Sequence, residues 1–236
     1  MKKRVLATLA ACALSAACIF GATACNNGDD GDKGNVPDIG NESDVPGAYD
    51  SIQVADEAAW NAAFNAPLSC TKIMSYKSST DGGTFTLIAS STEYIVNNED
   101  YIISTSVENG IESVLYEYFI YEGTEFYRAR RDGADGIWEV NYGTVGIDIN
   151  CYPYSAFTFE NGKYVGSVTS EYFGNMETTI TIKIGMEGYV NYIKEEQNDN
   201  EIIMTGEVSI NNINSTTYTF PEDAKKAIAN FRAGKN

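Results

Sequence analysis

The chain has 236 residues, of which 33 are acidic and 16 are basic, and it contains no histidine. A formal net charge of −17 excludes a nucleic-acid binder, because phosphate recognition needs a basic surface. Without histidine, the Ser-His-Asp and Cys-His catalytic arrangements, the HExxH zinc enzymes and His-ligated haem are excluded as well. Hydrophobic residues make up 43% of the chain, which is enough for a packed core and predicts a folded domain.

Residues 1–24 are predicted to form a signal peptide. Three cations at positions 2–4 precede an uncharged run rich in Ala and Leu. A membrane-spanning anchor of about 20 residues is the alternative. The abundance of small residues and the Ala-Thr-Ala ending at 22–24 favour cleavage after that ending.

Cys25 follows the predicted cleavage site directly and precedes a polar segment. This arrangement resembles the lipobox of bacterial lipoproteins, in which the cysteine thiol receives a diacylglyceryl group and becomes the new N-terminus. The family prefers Leu three residues before the cysteine, where this chain has Ala22, and Cys12 and Cys18 are alternative positions. The resemblance implies export and a lipid anchor on the extracytoplasmic face of a bacterial cell membrane. Ordinary cleavage would instead release a secreted protein with a free thiol.

Residues 25–53 are predicted to be an acylated, disordered tether. Gly, Asp, Asn and Pro dominate residues 26–49, and such a composition cannot offset the entropy cost of ordering. A calcium-binding loop is the alternative, because three aspartates cluster between positions 29 and 32. An EF-hand loop that begins at Asp30 would need glutamate at its twelfth position, which is Asn41 here. The tether is therefore preferred, and no metal site is expected.

The folded domain is predicted to span residues 54–233 and to carry a helix near each end. The first helix covers 55–65, where Trp60 and Phe64 lie four residues apart and share one face. The second begins at Pro221, because proline suits the first position of a helix and apolar residues follow at helical spacing.

Between Cys70 and Phe220 the sequence predicts an antiparallel β meander. Short runs rich in Tyr, Thr, Ile, Val and Phe alternate with turn dipeptides. The Asn-Gly pairs at 109–110 and 161–162 are strong signals for type I′ hairpin turns. Consecutive hairpins favour an antiparallel sheet over a parallel βαβ arrangement.

The hydrophobic alternation predicts which strands have a solvated face. Residues 176–184 and 202–210 alternate apolar with polar side chains, so each strand should turn one face to water. Residues 111–121 are apolar on both sides, so a helix, a lid, a second layer or a ligand must cover both faces. Residues 141–155 break the alternation and are interpreted as a loop that crosses this sheet.

The predicted fold class is mainly β (α+β), with an antiparallel meander that forms a curved sheet or half-barrel and a helix at each end. The order of a tether, a helix with Trp60 and Phe64, and a long meander with a central break resembles the superfamily of the Lol carriers and the mycobacterial LppX-type lipoproteins. The resemblance covers about residues 54–221 and implies a half-barrel whose helices cover an apolar concavity that holds lipid or acyl chains. Those families place helices near the middle of the chain, where residues 141–155 look irregular here. No ligand-contacting residue is carried over.

Two patterns that could support catalysis are weak. Ser69 and Lys72 fit the S-x-x-K signature of penicillin-binding proteins and β-lactamases, but that chemistry needs the start of a helix. Here the residues enter a predicted strand, which places them on opposite faces. Five acids could contribute to a glycosidase-type carboxylate pair, namely Glu112, Glu117, Glu122, Glu125 and Glu139. They mostly alternate with apolar strand positions, as solvated residues do, so neither a catalytic site nor a cofactor is expected.

Six side chains are candidates for ligand contact: Trp138, Tyr142, Tyr152, Tyr154, Arg128 and Arg130. The four aromatic residues flank the predicted crossing loop and could form the mouth of a cavity. The two arginines share a strand face in the basic cluster at 128–131. They either pair with nearby glutamates or contact a carboxylate or phosphate group.

If Cys25 is acylated, Cys70 and Cys151 are the two cysteines left in the mature chain. Two cysteines in an exported domain favour a disulfide, and two buried free thiols are the alternative. The bond would close a loop of about 80 residues and contribute about 4 kcal/mol through chain entropy. It would also attach residues 141–155 to the first strand.

Together these features predict a membrane-anchored extracytoplasmic lipoprotein that binds or carries an apolar or amphiphilic ligand without catalysing a reaction. The expected partners are a membrane, through the N-terminal lipid, and a lipid or other apolar ligand, with nucleic acid excluded. A structural or protein-interaction module of the cell envelope, with a protein partner and no cavity, is the second hypothesis. A hydrolase that uses paired carboxylates is the third.

Overall fold

The computed structural model describes residues 51–65, 67–144, 152–169, 176–198 and 202–234. The predicted signal peptide, Cys25 and Cys151 lie outside these residues, so what the sequence indicates about them stays a prediction. Eleven strands and two α-helices occur within the described residues. In chain order they are α1 (Glu57–Ala63), β1 (Ser69–Ser79), β2 (Thr86–Val96), β3 (Glu99–Glu108), β4 (Ile111–Glu122), β5 (Glu125–Asp132), β6 (Glu139–Thr144), β7 (Phe157–Glu160), β8 (Lys163–Thr169), β9 (Glu177–Ile184), β10 (Val190–Asn198), β11 (Ile203–Asn211) and α2 (Glu222–Arg232), with a 3-10 turn at Tyr154–Ala156.

The strands form one antiparallel sheet in the order β6-β5-β4-β3-β2-β1-β11-β10-β9-β8-β7. Consecutive hairpins build most of each half, and the pairing of β1 with β11 joins the two halves. β6 and β7 lie at the two edges, and no strand pairing closes the sheet within the described part of the chain. The predicted mainly β fold, an antiparallel meander with a helix near each end, is confirmed.

The two predicted Asn-Gly hairpin turns are confirmed by their backbone angles. Asn109 and Gly110 have φ values of 53° and 77°, and Asn161 and Gly162 have 49° and 74°. Type I′ turns need positive φ at both central residues, and asparagine and glycine adopt such angles at the lowest cost. These local preferences fix the β3–β4 and β7–β8 hairpins.

Helix α1 begins two residues later than predicted because Asp56 lies before its first turn and caps it, and it ends at Ala63, two residues before the predicted end. The Asp56 carboxylate accepts a hydrogen bond from the backbone N–H of Ala59, at 2.9 Å. The bond satisfies one of the amide groups that a helix N-terminus leaves unpaired. The indole of Trp60 is fully buried beneath the helix. No helix within the described residues is both long and apolar enough to cross a membrane.

Replacing Asp56 with alanine should lower the free energy of unfolding by about 1 kcal/mol, because the N-cap hydrogen bond is lost. For a domain of this size, that corresponds to a fall in melting temperature of about 2–4 °C. Thermal unfolding followed by circular dichroism would measure it. The control is Asp56→Asn, which retains a capping oxygen and should stay close to wild type. Equal losses in the two variants would contradict the capping role.

The interpretation of residues 141–155 as a loop was wrong for the first four of them. Residues 141–144 belong to β6, and Asn141 pairs with Arg128 while Thr144 pairs with Glu125. Pairing with β5 stabilises this segment although its own hydrophobic pattern is irregular. Residues 145–151 lie outside the described part of the chain.

Tyr152 packs on the same side of the sheet as Trp60. Its hydroxyl donates to Glu195 of β10 at 2.6 Å, and its carbonyl accepts from the Trp60 indole N–H at 2.8 Å. We call the side of the sheet that carries Trp60 the inner face.

The two helices pack on opposite faces of the sheet. Helix α1 covers the inner face of β7–β11, where Trp60 joins the apolar side chains of Ile180, Ile182 and Ile193. Helix α2 covers the outer face of β3–β6, where Ile228 packs in one cluster with the aromatic side chains of these strands. The sequence predicted a cover on both faces of residues 111–121, and α2 provides it on the outer face of β4. On the inner face of β1 and β2, Cys70 and Ile95 join the cluster of Trp60, and the inner face of β1–β5 beyond them contains the candidate site.

Candidate functional site

A groove of about 1000 Å³ lies over the inner face of β1–β5, toward the end of the sheet that is distant from α1. The strand register places one row of side chains across its floor. From β1 to β5 this middle row is Met74, Ser91, Ser104, Leu115 and Asp132. The row mixes apolar side chains with hydroxyls and ends in a carboxylate.

Small side chains create the space of the groove. The next row outward carries Ala89, Ser106 and Ser113 beside Tyr76 of β1. The hydroxyls of Ser106 and Ser113 lie 2.8 Å apart and bond to each other across β3 and β4. In the other half of the inner face, isoleucines and Trp60 fill the equivalent space. A ligand in the groove would therefore occupy volume that large side chains occupy elsewhere on the same face.

The inner end of the groove is bounded by a row of mostly charged side chains, which we call the charge row and which is buried except at Arg130, whose side chain is 44% exposed. This row is Lys72, Glu93, Ile102, Glu117 and Arg130, again from β1 to β5. The ammonium nitrogen of Lys72 lies 3.0 Å from Oε2 of Glu93, and both side chains are only 1% exposed. Although burial opposes the charge, the Glu93 carboxylate holds the pKa of Lys72 above its ordinary value.

Asp100 adds a third acid directly behind the charge row. It is 2% exposed and faces Ile95 on β2 and Phe119 on β4. The pKa of the Asp100 carboxyl is raised to about 8, mainly by burial and also by the Glu93 carboxylate, while the Lys72 ammonium and a hydrogen bond with Tyr121 act in the opposite direction. Asp100 is therefore mostly protonated at neutral pH, so it adds little charge to the buried region.

The buried carboxyl of Glu195 lies in the other half of the inner face. Burial raises the pKa of Glu195, although a hydrogen bond donated by the Tyr152 hydroxyl acts against the shift. In the folded protein, the raised pKa values of Glu195 and Asp100 both favour the protonated, neutral form of the carboxyl group.

The two candidate arginines share the inner face of β5, as predicted. Arg128 forms an ion pair with Glu117 of β4, and Arg130 lies 3.3 Å from Asp132 on its own strand. Arg130 lines the groove. The geometry favours local pairing with acids, the first of the two interpretations that the sequence left open.

The four aromatic candidates do not come together at one cavity mouth. Tyr152 and Tyr154 belong to the inner core and pack around the indole of α1. Trp138 packs into the outer core beneath α2, and Tyr142 lies on the same outer face, against the ring of Tyr127. The lining of the groove within the described residues includes none of the four. Tyr142 of β6 pairs with Tyr127, an outer-facing residue of β5, and so faces outward as well. Trp138 lies on the same outer side.

Cys70 lies buried on β1 and forms no disulfide with any residue that the structure describes, and Cys151 lies outside those residues. Burial raises the pKa of the Cys70 thiol to about 12, so the thiolate that attacks or binds metals is scarce at neutral pH. Pairing of Cys70 with Cys151 stays a prediction. Among the described residues, no group of three or more Cys, Asp and Glu side chains is placed to hold a metal ion.

The residues considered for catalysis do not combine into one site within the described residues. The register puts Ser69 and Lys72 on opposite faces of β1, since their partners on β2 are Val96 and Glu93. Glu122 and Glu125 are direct cross-strand partners on β4 and β5, but Glu122 pairs with Arg232 and Glu125 is exposed. Glu117 pairs with Arg128, while Glu112 and Glu139 are exposed.

Sequence reasoning missed the charge row and the serines of the groove. A signal was present, because Lys72 shares the alternation of the apolar residues Cys70 and Met74 on β1. A charged residue in phase with an apolar face indicates a buried pair or a site. The sequence alone did not reveal the partner, which lies on another strand.

No protein-family model matches this chain, and no curated protein sequence matches it.

Proposed function

We propose that this protein is an extracytoplasmic, membrane-anchored lipoprotein whose domain binds or carries an apolar or amphiphilic ligand in the inner-face groove without catalysing a reaction. The observation that carries the proposal is the groove itself, about 1000 Å³ in volume over the inner face of the sheet. Its size suits a drug-sized or lipid-sized ligand. Met74, Ile102 and Leu115 provide apolar surface along its floor.

The proposed location rests on the N-terminal sequence. A charged start, an apolar run and Cys25 in a lipobox-like position support export and lipidation. The predicted tether ends earlier than position 53, because Ser51 is buried and Ser51 and Ile52 are both hydrogen-bonded to Ile184 of β9. The polar residues 26–49 would give the domain freedom to move away from the membrane. The acidic surface disfavours direct contact with anionic lipid, so the N-terminal lipid would provide the attachment.

Native mass spectrometry of a Cys25→Ala variant, exported by a bacterial host and purified without detergent, tests ligand binding. We expect a heterogeneous excess mass of lipid size that organic extraction removes. A Ser104→Trp substitution should fill the middle of the groove and lower the bound fraction at least about tenfold, because the indole needs the space of the ligand. The matched control is Thr179→Trp, at an exposed position of β9, which should retain the ligand. A bare mass from unaltered protein, or equal occupancy in both tryptophan variants, would contradict the proposal.

A cell-envelope interaction module remains the second candidate because large apolar side chains are exposed. Ile111, Ile137 and Met186 are 72%, 87% and 73% exposed, and exposed apolar groups are typical of protein contact sites when they form a patch. This function predicts an envelope protein that copurifies with the wild type and is lost from an Ile111→Ser/Ile137→Ser variant. Loss of the copurifying protein from this variant, together with a bare mass of the unaltered protein in native mass spectrometry, would favour the interaction module over the ligand binder.

A further inference from the structure

The charged side chains that line the groove leave no cation free for an anionic ligand. Within the described residues, the lining contains one basic residue, Arg130, and four acids. Arg130 is paired with Asp132, and the nearby Arg128 is paired with Glu117. Arg130 and Asp132 are 44% and 82% exposed, so their pair is weak, but an anionic headgroup that displaced Asp132 would still approach four carboxylates for one cation, and the lining therefore disfavours it.

A cationic headgroup also lacks a strong partner in the groove. Glu117 and Asp132 already pair with arginines, and the other two acids of the lining, Glu108 and Glu112, are exposed at the rim. Solvent screens exposed carboxylates, and ion pairs made with them contribute little. The charges of the groove therefore favour an uncharged ligand.

The polar groups that are free to bind a ligand are hydroxyls. Ser91 and Ser104 face each other directly across β2 and β3 in the middle row. Their hydroxyls make no side-chain hydrogen bond within the described part of the chain. Each hydroxyl offers one donor and two acceptor positions, so the pair can bind a neutral group that both donates and accepts hydrogen bonds.

Apolar side chains lie immediately beside these two serines. Met74 is the cross-strand neighbour of Ser91, and Leu115 is the neighbour of Ser104. Ile102, two residues before Ser104 on the same face of β3, extends this apolar surface toward the charge row. One ligand molecule could thus contact hydroxyls and apolar surface at the same time.

From this arrangement we infer that the ligand is a neutral amphiphile whose hydroxyl-bearing part binds Ser91 and Ser104 while its apolar part lies against Met74, Ile102 and Leu115. The inference rests on the proposed function, because it specifies the ligand of the same groove. It assigns Arg130 to pairing with Asp132 and not to headgroup recognition.

Three compounds with the same acyl chain test this inference: 1-monolauroylglycerol (neutral, with two hydroxyls), laurate (anionic) and lauroylcholine (cationic). Each would displace the neutral fluorescent probe N-phenyl-1-naphthylamine from the Cys25→Ala protein, below its aggregation concentration. We expect monolauroylglycerol to bind at least about tenfold more tightly than either charged compound, which is about 1.4 kcal/mol. A Ser91→Ala/Ser104→Ala variant should bind the probe but lose most of this preference. Ser167→Ala, at an exposed serine of β8, is the matched control and should retain it.

The outcomes separate this inference from the function on which it rests. Laurate that binds as tightly as monolauroylglycerol, or lauroylcholine that binds most tightly, would overturn the neutral ligand class while leaving a ligand-binding groove. An unchanged preference in the double serine variant would overturn the assignment to Ser91 and Ser104. If the probe binds and no lauroyl compound displaces it, the inference is also wrong. If neither the probe nor any lauroyl compound binds, and native mass spectrometry shows a bare protein, the proposed function itself fails.

Discussion

Replacing Lys72 with methionine should lower the free energy of unfolding by about 3–5 kcal/mol, because it leaves a buried carboxylate without its partner. Lys72 and Glu93 are each 1% exposed, so water cannot replace the lost ammonium group. Asp100 lies beside them and would lose a nearby positive charge as well. For a domain of this size, the melting temperature should fall by roughly 10 °C. Urea unfolding at pH 7, followed by tryptophan fluorescence, would measure the change.

Removing both partners should cost much less than removing one. In the Lys72→Met/Glu93→Leu double variant, neither charge is left unpaired, and well-packed apolar residues can replace a buried ion pair with little loss. Lys77→Met is the matched control on the same strand, since Lys77 is 29% exposed and lies 3.9 Å from Glu207. It should change stability by less than about 1 kcal/mol. A small effect of Lys72→Met, or a double variant as unstable as the single one, would contradict this account of the charge row.

The parts of the fold that sequence analysis predicted are those that local chemistry determines. The Asn-Gly turns were identifiable because positive φ is a property of the two residues themselves, as at Asn109 and Gly110. The solvated face of β9 was identifiable because Thr179 and Thr181 alternate with isoleucines that the structure buries or partly buries. The pairing of β1 with β11 joins residues such as Thr71 and Asn211, and no local signal specifies a partner so far along the chain.

The candidate site was less predictable because it depends on which faces of distant strands meet. Alternation showed that Arg128 and Arg130 share a face of β5, but it could not show that Trp138 and Tyr142 lie on the opposite face of the sheet. The middle row of the groove takes one residue from each of five strands. A serine such as Ser104 looks like an ordinary sheet residue until its neighbours are known.

The stability of this domain should fall as the pH rises from 5 to 8, and the protonated Asp100 carboxyl is a main cause. Folding raises the pKa of Asp100 to about 8, whereas an aspartate in the unfolded chain has a pKa of about 4. Between these values the folded state retains a proton that the unfolded state has released, so each unit of rising pH removes up to about 1.4 kcal/mol of stability. Burial shifts the pKa of Glu195 in the same direction. The chain contains no histidine, so no imidazole titrates in this range to obscure the effect.

Asp100→Asn should remove the Asp100 part of this pH dependence, because an amide is neutral on both sides of the window. We expect the variant and the wild type to be similar in stability at pH 5, and the variant to be more stable by about 2–4 kcal/mol at pH 8. Urea unfolding at pH 5, 6, 7 and 8 would measure the difference at each point. Asp135→Asn, at an exposed acid of the β5–β6 loop, is the control and should follow the wild-type curve. Parallel curves for Asp100→Asn and the wild type would mean that Asp100 releases its proton well below pH 8 in the folded protein, and that the buried charge row tolerates a third carboxylate.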